Sequence, residues 1–132
     1  MNGDMKQKMP EWIRNGIKKE TVEYAEKLGQ YLQKLHYSSS QIRNIFGEIK
    51  RLEMQKWTPE TETSLLLMKP KLAYGVARQN QRDAKDAASV LQEILSVGID
   101  TIIDSQNKEV AFKNFSQFFE AVLAYHKAFG GK

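Results

Sequence analysis

Apolar residues recur every three or four positions along most of this chain, and nowhere do they alternate with polar ones for long enough to suggest a strand. Val22, Ala25, Leu28, Leu32 and Leu35 form one stripe, with Gly29 beside it, and predict a helix starting near Thr21. Ile42, Ile45, Phe46, Ile49 and Leu52 form a second. Its start is marked by Ser38 with Gln41 three residues on, the spacing of a capping box, in which two orphan backbone donors are satisfied reciprocally. From about Glu53 to Ser64 the pattern dissolves into polar residues around Pro59, which predicts a connector.

A third helix covers LLLMKPKLAYGVARQNQR, and Pro70, which has no backbone donor and crowds the preceding turn, either begins that helix or kinks it. The fourth runs from about Asp83 to Asp104 with Ala84, Ala87, Ala88, Leu91, Leu95 and Ile102 on one side. A fifth begins near Asn107, a good cap, holds Phe112, Phe115, Phe118, Phe119, Val122 and Phe129, and stops at Gly130 and Gly131. The expectation is an all-α, five-helix bundle forming a single domain over residues 1–132, with the first twenty residues the most prone to mobility.

Composition narrows the chemistry. At 132 residues, 41% hydrophobic and 27% charged, the chain has the make-up of an ordinary globular domain. The absence of cysteine removes disulfides, thiolate zinc sites and thiol nucleophiles together. The longest aliphatic run, Leu65 to Met68, is far short of the roughly 20 residues of a membrane span, and the polar start MNGDMKQKMPEW has no signal-peptide core; the expected location is cytoplasmic.

Charge is what localises a candidate site. The 20 Lys and Arg exceed the 16 Asp and Glu by four, and Lys69, Lys71, Arg78 and Arg82 account for all of that excess within an interval, Thr63 to Arg82, that contains no acid. On a helical wheel at about 100° per residue, Arg78 and Arg82 each fall within about 20° of Lys71, opposite Leu72, Ala73 and Val76. Tyr74 and Gly75 lie in the same stripe, a stacking ring and a place for close approach. Arg43, Gly47 and Lys50 repeat the arrangement on the second helix, and a second acid-free interval from Lys27 to Gly47 holds Lys27, Lys34 and Arg43. The bland alternative is a pair of solvated faces whose glycines serve helix packing. Such faces usually alternate Lys and Arg with Glu three or four residues away, and that local pairing is missing here, so the two stripes are expected to line a common groove for a polyanion.

Catalysis has little to stand on. His36 and His126 each neighbour a tyrosine on an apolar helix and fit core or boundary imidazoles; neither has carboxylates at metal-ligand spacing. Glu60 and Glu62 suit the first turn of a helix, and no phosphate-binding loop, GxGxxG or nucleophile elbow occurs. No catalytic residue, metal ligand or cofactor is expected. Asp83, Asp86, Glu93, Asp100 and Asp104 make the fourth helix acidic, for capping and solubility first and a protein neighbour second. The phenylalanines of the last helix outnumber one buried face and leave room for an oligomer contact, while Trp12 and Trp57 fall outside the strong patterns.

Three blocks, SSSQIRNIF, LLLMKPKLAYGVARQ and FSQFFEAVLAYHKAFGG, in that order over about residues 38 to 131, resemble the small subunit of type III-A CRISPR effector complexes, the Csm small-subunit family. The resemblance implies a non-catalytic, all-helical antiviral-defence protein, stacked in several copies along guide RNA and single-stranded target RNA, beside a backbone RNase subunit and a large subunit. It also implies that Arg43, Lys69, Lys71 and Arg78 contact RNA backbone; charge and helical phase add Lys50, Arg82 and Lys127. Self-association is expected and a membrane partner is not. Two other readings of the same residues stay open: a helical DNA-binding regulator inserting SQIRNIFGEIKR into a major groove, and a protein adapter whose basic stripes meet acidic partners.

Overall fold

The computed structural model describes residues 2–130, and within them the chain is all-helical with no strand. The six helices are α1 (Asn2–Asn15), α2 (Lys19–Lys34), α3 (Ser39–Glu53), α4 (Pro59–Ala77), α5 (Arg82–Asp104) and α6 (Lys108–Ala128). The expected class is right and the count of five is corrected to six, because the segment before Thr21 forms α1. Met9, Trp12 and Ile13, at the four-and-three spacing of a helix face, are all buried there.

The last helix is the centre of the bundle. It packs against α1, α2, α3 and α5, so Phe112, Phe115, Phe118 and Phe119 are spent on several faces at once and are all buried. That accounts for the aromatic excess without an oligomer contact; only Phe129, beyond the helix, is 38% exposed. Tyr24 of α2 stacks on Phe118 at 6.0 Å, and Trp12 of α1 tilts against both rings, at 6.0 and 6.5 Å. Phe46 of α3 meets Phe119 edge-on at 5.8 Å, as Trp57 does Phe112.

Where α2 crosses α6 the backbones themselves touch. A Cβ on Gly29 would sit 2.8 Å from the His126 nitrogen and 2.9 Å from the Val122 carbonyl oxygen, so only glycine admits this crossing. The α2 C-terminus closes with the Tyr37 N–H on the Leu32 carbonyl and the His36 N–H on that of Gln33, which places His36 in the left-handed region at φ 61°. His36 is therefore an exposed turn residue, while His126 is a buried one whose Nε2 lies 2.8 Å from the Tyr37 carbonyl oxygen.

The connector before α4 is shorter than the sequence pattern suggests. Thr58 caps α4 through its Oγ1, which accepts from the Thr61 N–H at 3.1 Å, and Pro59 occupies the first turn, where its missing N–H has no intrahelical duty. Glu60 and Glu62 then fall in the first turn as expected. Pro70 neither starts nor ends the helix; it lies on the exposed side, where water can satisfy the carbonyl left without its usual donor. Leu65, Met68 and Leu72 seat α4 on α5, and α4 only brushes α3.

Candidate nucleic-acid interface

Because α3 leans on α6 and α4 leans on α5, the two helices diverge and leave a groove between them of about 350 Å³. Ile45, Met68, Leu72, Ala88 and Leu91 make its apolar floor. Gln41, Asn44 and Glu48 stand along the α3 wall, and Lys71, Tyr74, Gly75 and Arg78 along the α4 wall. One end is tied by Gln79, whose Nε2 donates to Gln41 Oε1 and to the Gly75 carbonyl, both at 2.9 Å. Gln41 is thus drawn away from the reciprocal half of a capping box: Ser38 Oγ accepts from its N–H at 3.3 Å, but its side chain serves the groove. Tyr37 closes the same end, its hydroxyl pKa pushed up to about 12 by burial, with the nearby Arg78 guanidinium pulling the other way.

The two stripes do not line this groove together, which corrects the expectation of a common one. On α3, Arg43 belongs to the opposite flank from Gln41, Asn44 and Glu48, and with Lys127 it borders a separate concavity of about 360 Å³ between α3 and α6, over Phe46 and Leu123. Its Nε donates to the Ser39 carbonyl at 3.3 Å. Lys50 pairs with Glu53 at 3.0 Å near the end of α3, and Lys69 turns toward α5 to meet Asp100 at 2.7 Å. Arg82 leaves the predicted stripe because α4 ends at Ala77 and α5 opens at Arg82 itself; it is exposed at that end. Of the seven cations singled out in the sequence, two, Lys71 and Arg78, share the α3/α4 groove, and two, Arg43 and Lys127, share the α3/α6 concavity.

Local acid-free intervals proved an incomplete guide, since acids arrive from other helices. Lys71 Nζ lies 2.5 Å from Glu48 Oε1 across the groove, just as Asp100 reaches Lys69 from α5. Arg78 forms no ion pair among the described residues. The glycines separate cleanly. A Cβ on Gly47 or Gly75 meets nothing within 4 Å, so neither serves helix packing. Gln41, Asn44 and Tyr37 carry no charge signal, and sequence periodicity gave no reason to place them beside Lys71.

Among the described residues no group of three or more His, Cys, Asp or Glu could hold a metal ion, and no helix is long and apolar enough to cross a membrane. The described residues thus form an all-helical protein with a cation-rimmed groove. The chain belongs to the Csm2 type III-A family, whose model matches residues 17–132, and it is accordingly a small subunit of type III-A CRISPR complexes, a class of non-catalytic structural components that work with other Csm subunits. No significant match was found among curated proteins or among solved structures. Helix α1 lies outside the matched region, although Trp12 is in the core.

Proposed function

We propose that this subunit grips RNA by its phosphates, without reading sequence, and stacks in several copies along the guide RNA and the single-stranded target, next to the backbone RNase subunit and the large subunit. The observation that carries this reading is the pair Lys71 and Arg78 on one rim of the α3/α4 groove, with Arg78 unengaged by any carboxylate among the described residues. Guide pairing already selects the target, so the protein has only to hold a backbone of any sequence, for which side-chain cations suffice. Arg43 and Lys127 supply a second contact on the far flank of α3. Lys50, Lys69 and Arg82 contribute to the field around these two places rather than to either of them.

A subunit that neutralises few phosphates binds weakly alone, and repetition along one strand raises the effective concentration of each next contact. Replacing Lys71 and Arg78 together by Ala should leave the helical circular dichroism unchanged, weaken binding to single-stranded RNA and flatten the dependence of log K on log salt by about 1.4. An unaltered salt slope would take both residues off the RNA surface. Tighter binding to one duplex DNA sequence would instead favour a regulator, and no binding to any RNA an adapter.

A further inference from the structure

We propose that the α3/α4 groove accepts a single nucleobase turned out of the bound strand, so that each subunit holds one base as well as the backbone around it. This rests on the RNA reading above and adds a site to it. Phosphates alone need a cationic surface and no hollow. Here the cations stand on the rim of a hollow whose floor is apolar, with Ile45, Leu72 and Leu91 beneath. Its volume of about 350 Å³ is at the small end of ligand sites, which run from roughly 300 to 1,000 Å³, and suits one flat heterocycle rather than a run of nucleotides.

The walls match the chemistry of a base. Tyr74 is 68% exposed at the mouth, a ring with no packing duty in the fold, and Gly75 beside it leaves open space where any other residue would project a side chain. Base stacking on such a ring tolerates every base, because each has a π-face. Gln41 and Asn44 offer amide groups to the polar edge of the base; the Gln41 oxygen is taken by Gln79, which leaves its NH₂ to donate, and Asn44 can present either end of its amide. Arg78, at the end of α4, is placed for the phosphate that flanks an inserted base. An occupant held by stacking and adaptable amides is accepted whatever its identity, in keeping with a protein that does not select sequence.

The test uses the full chain and two single-stranded oligoadenylates of equal length, one intact and one with abasic ribose phosphates at intervals, so that the phosphate charge is constant. Fluorescence anisotropy should show the wild type binding the intact strand on the order of tenfold more tightly, the lower range of base–aromatic stacking. Gly75→Leu, which fills the groove at a position with open space, should bind both strands as weakly as the wild type binds the abasic one, with an unchanged salt slope. Equal affinities of the wild type for the two strands would overturn the base site and leave phosphate binding standing. If Gly75→Leu keeps the full preference for the intact strand, the base stacks elsewhere and the groove is not its site. Failure to bind either strand would remove the RNA reading as well.

Discussion

Two pairs of helices in this subunit meet in opposite ways. Where α2 crosses α6, Gly29 brings the backbones into contact, Leu28, Leu32, Phe119 and Val122 are fully buried, and His126 reaches across to the Tyr37 carbonyl oxygen. Where α3 faces α4, the opposed side chains are amides, a carboxylate and cations, and the direct ties are the Gln79–Gln41 hydrogen bond and the Lys71–Glu48 ion pair. Such ties contribute about 1 kcal/mol each at most, since one is an amide contact exchanged for water and the other a surface ion pair. Neither helix needs the other for support. Ile42 and Ile49 are buried on the α3 face that leans on α6, Leu65 and Met68 on the α4 face against α5, so the groove has walls fixed from behind and a gap that burial does not close. Stability and site are thereby assigned to different contacts, and substitutions in one should leave the other largely untouched.

The harshest way to break that separation is Trp12→Ala. Its ring is 1% exposed and lies against Tyr24 and Phe118, so truncation leaves a cavity in the packed body and should cost about 4 kcal/mol. Urea unfolding should show the midpoint drop, while RNA affinity measured where the variant is still folded should match the wild type. A cost below about 1 kcal/mol would mean that α1 is not part of the cooperative core.

The glycines give a paired measurement of opposite sign. Gly29→Ala forces a methyl into the α6 backbone at 2.8 Å and should destabilise by about 3 kcal/mol, the upper end of the usual cost of overpacking, because neither helix axis can yield without disturbing buried neighbours. Gly75→Ala places the same methyl in open space within a helix and should stabilise by about 0.5 to 1 kcal/mol through reduced freedom of the unfolded chain. Equal effects from the two in urea melts would show that the groove is as tightly closed as the seam.

Much of the packed body was legible in the sequence, and most of the groove was not. Five of the six helices are readable from the chain, since a stripe such as Ile42, Ile49 and Leu52 can bury itself in only one conformation. Val22, read as part of the first stripe, is 38% exposed; Thr21 and Tyr24 take the buried positions, a rotation of the face that hydropathy misses because their polar groups mask their apolar bulk. Helix α1 escaped notice because its few apolar positions are interleaved with charges and Pro10. The groove was obscured for a different reason. Charge patterns along one helix report what lies within a turn or two, whereas the partners of Lys69 and Lys71 are 31 and 23 residues away. Tyr74 and Gly75 were visible as outward positions on a basic stripe, but only the divergence of α3 from α4 turns them into walls.

That long-range pair offers the finest adjustment of the comparison. On the proposed RNA reading, Glu48 is the carboxylate that a phosphate would have to displace to reach Lys71, and that pair is partly exposed, with little stability to lose. Glu48→Gln keeps the shape and a hydrogen-bonding oxygen while removing the charge. It should change unfolding free energy by less than about 1 kcal/mol, yet tighten single-stranded RNA binding severalfold and steepen its salt dependence by up to about 0.7, the increment for one further phosphate neutralised. Glu53→Gln, which releases Lys50 outside the groove, is the matched control and should leave the slope nearly as it was. If both variants steepen the slope equally, RNA responds to the net charge of the subunit as a whole. A response confined to Glu48→Gln places the strand at the α3/α4 groove, because only there does removing one carboxylate hand a lysine back to the ligand.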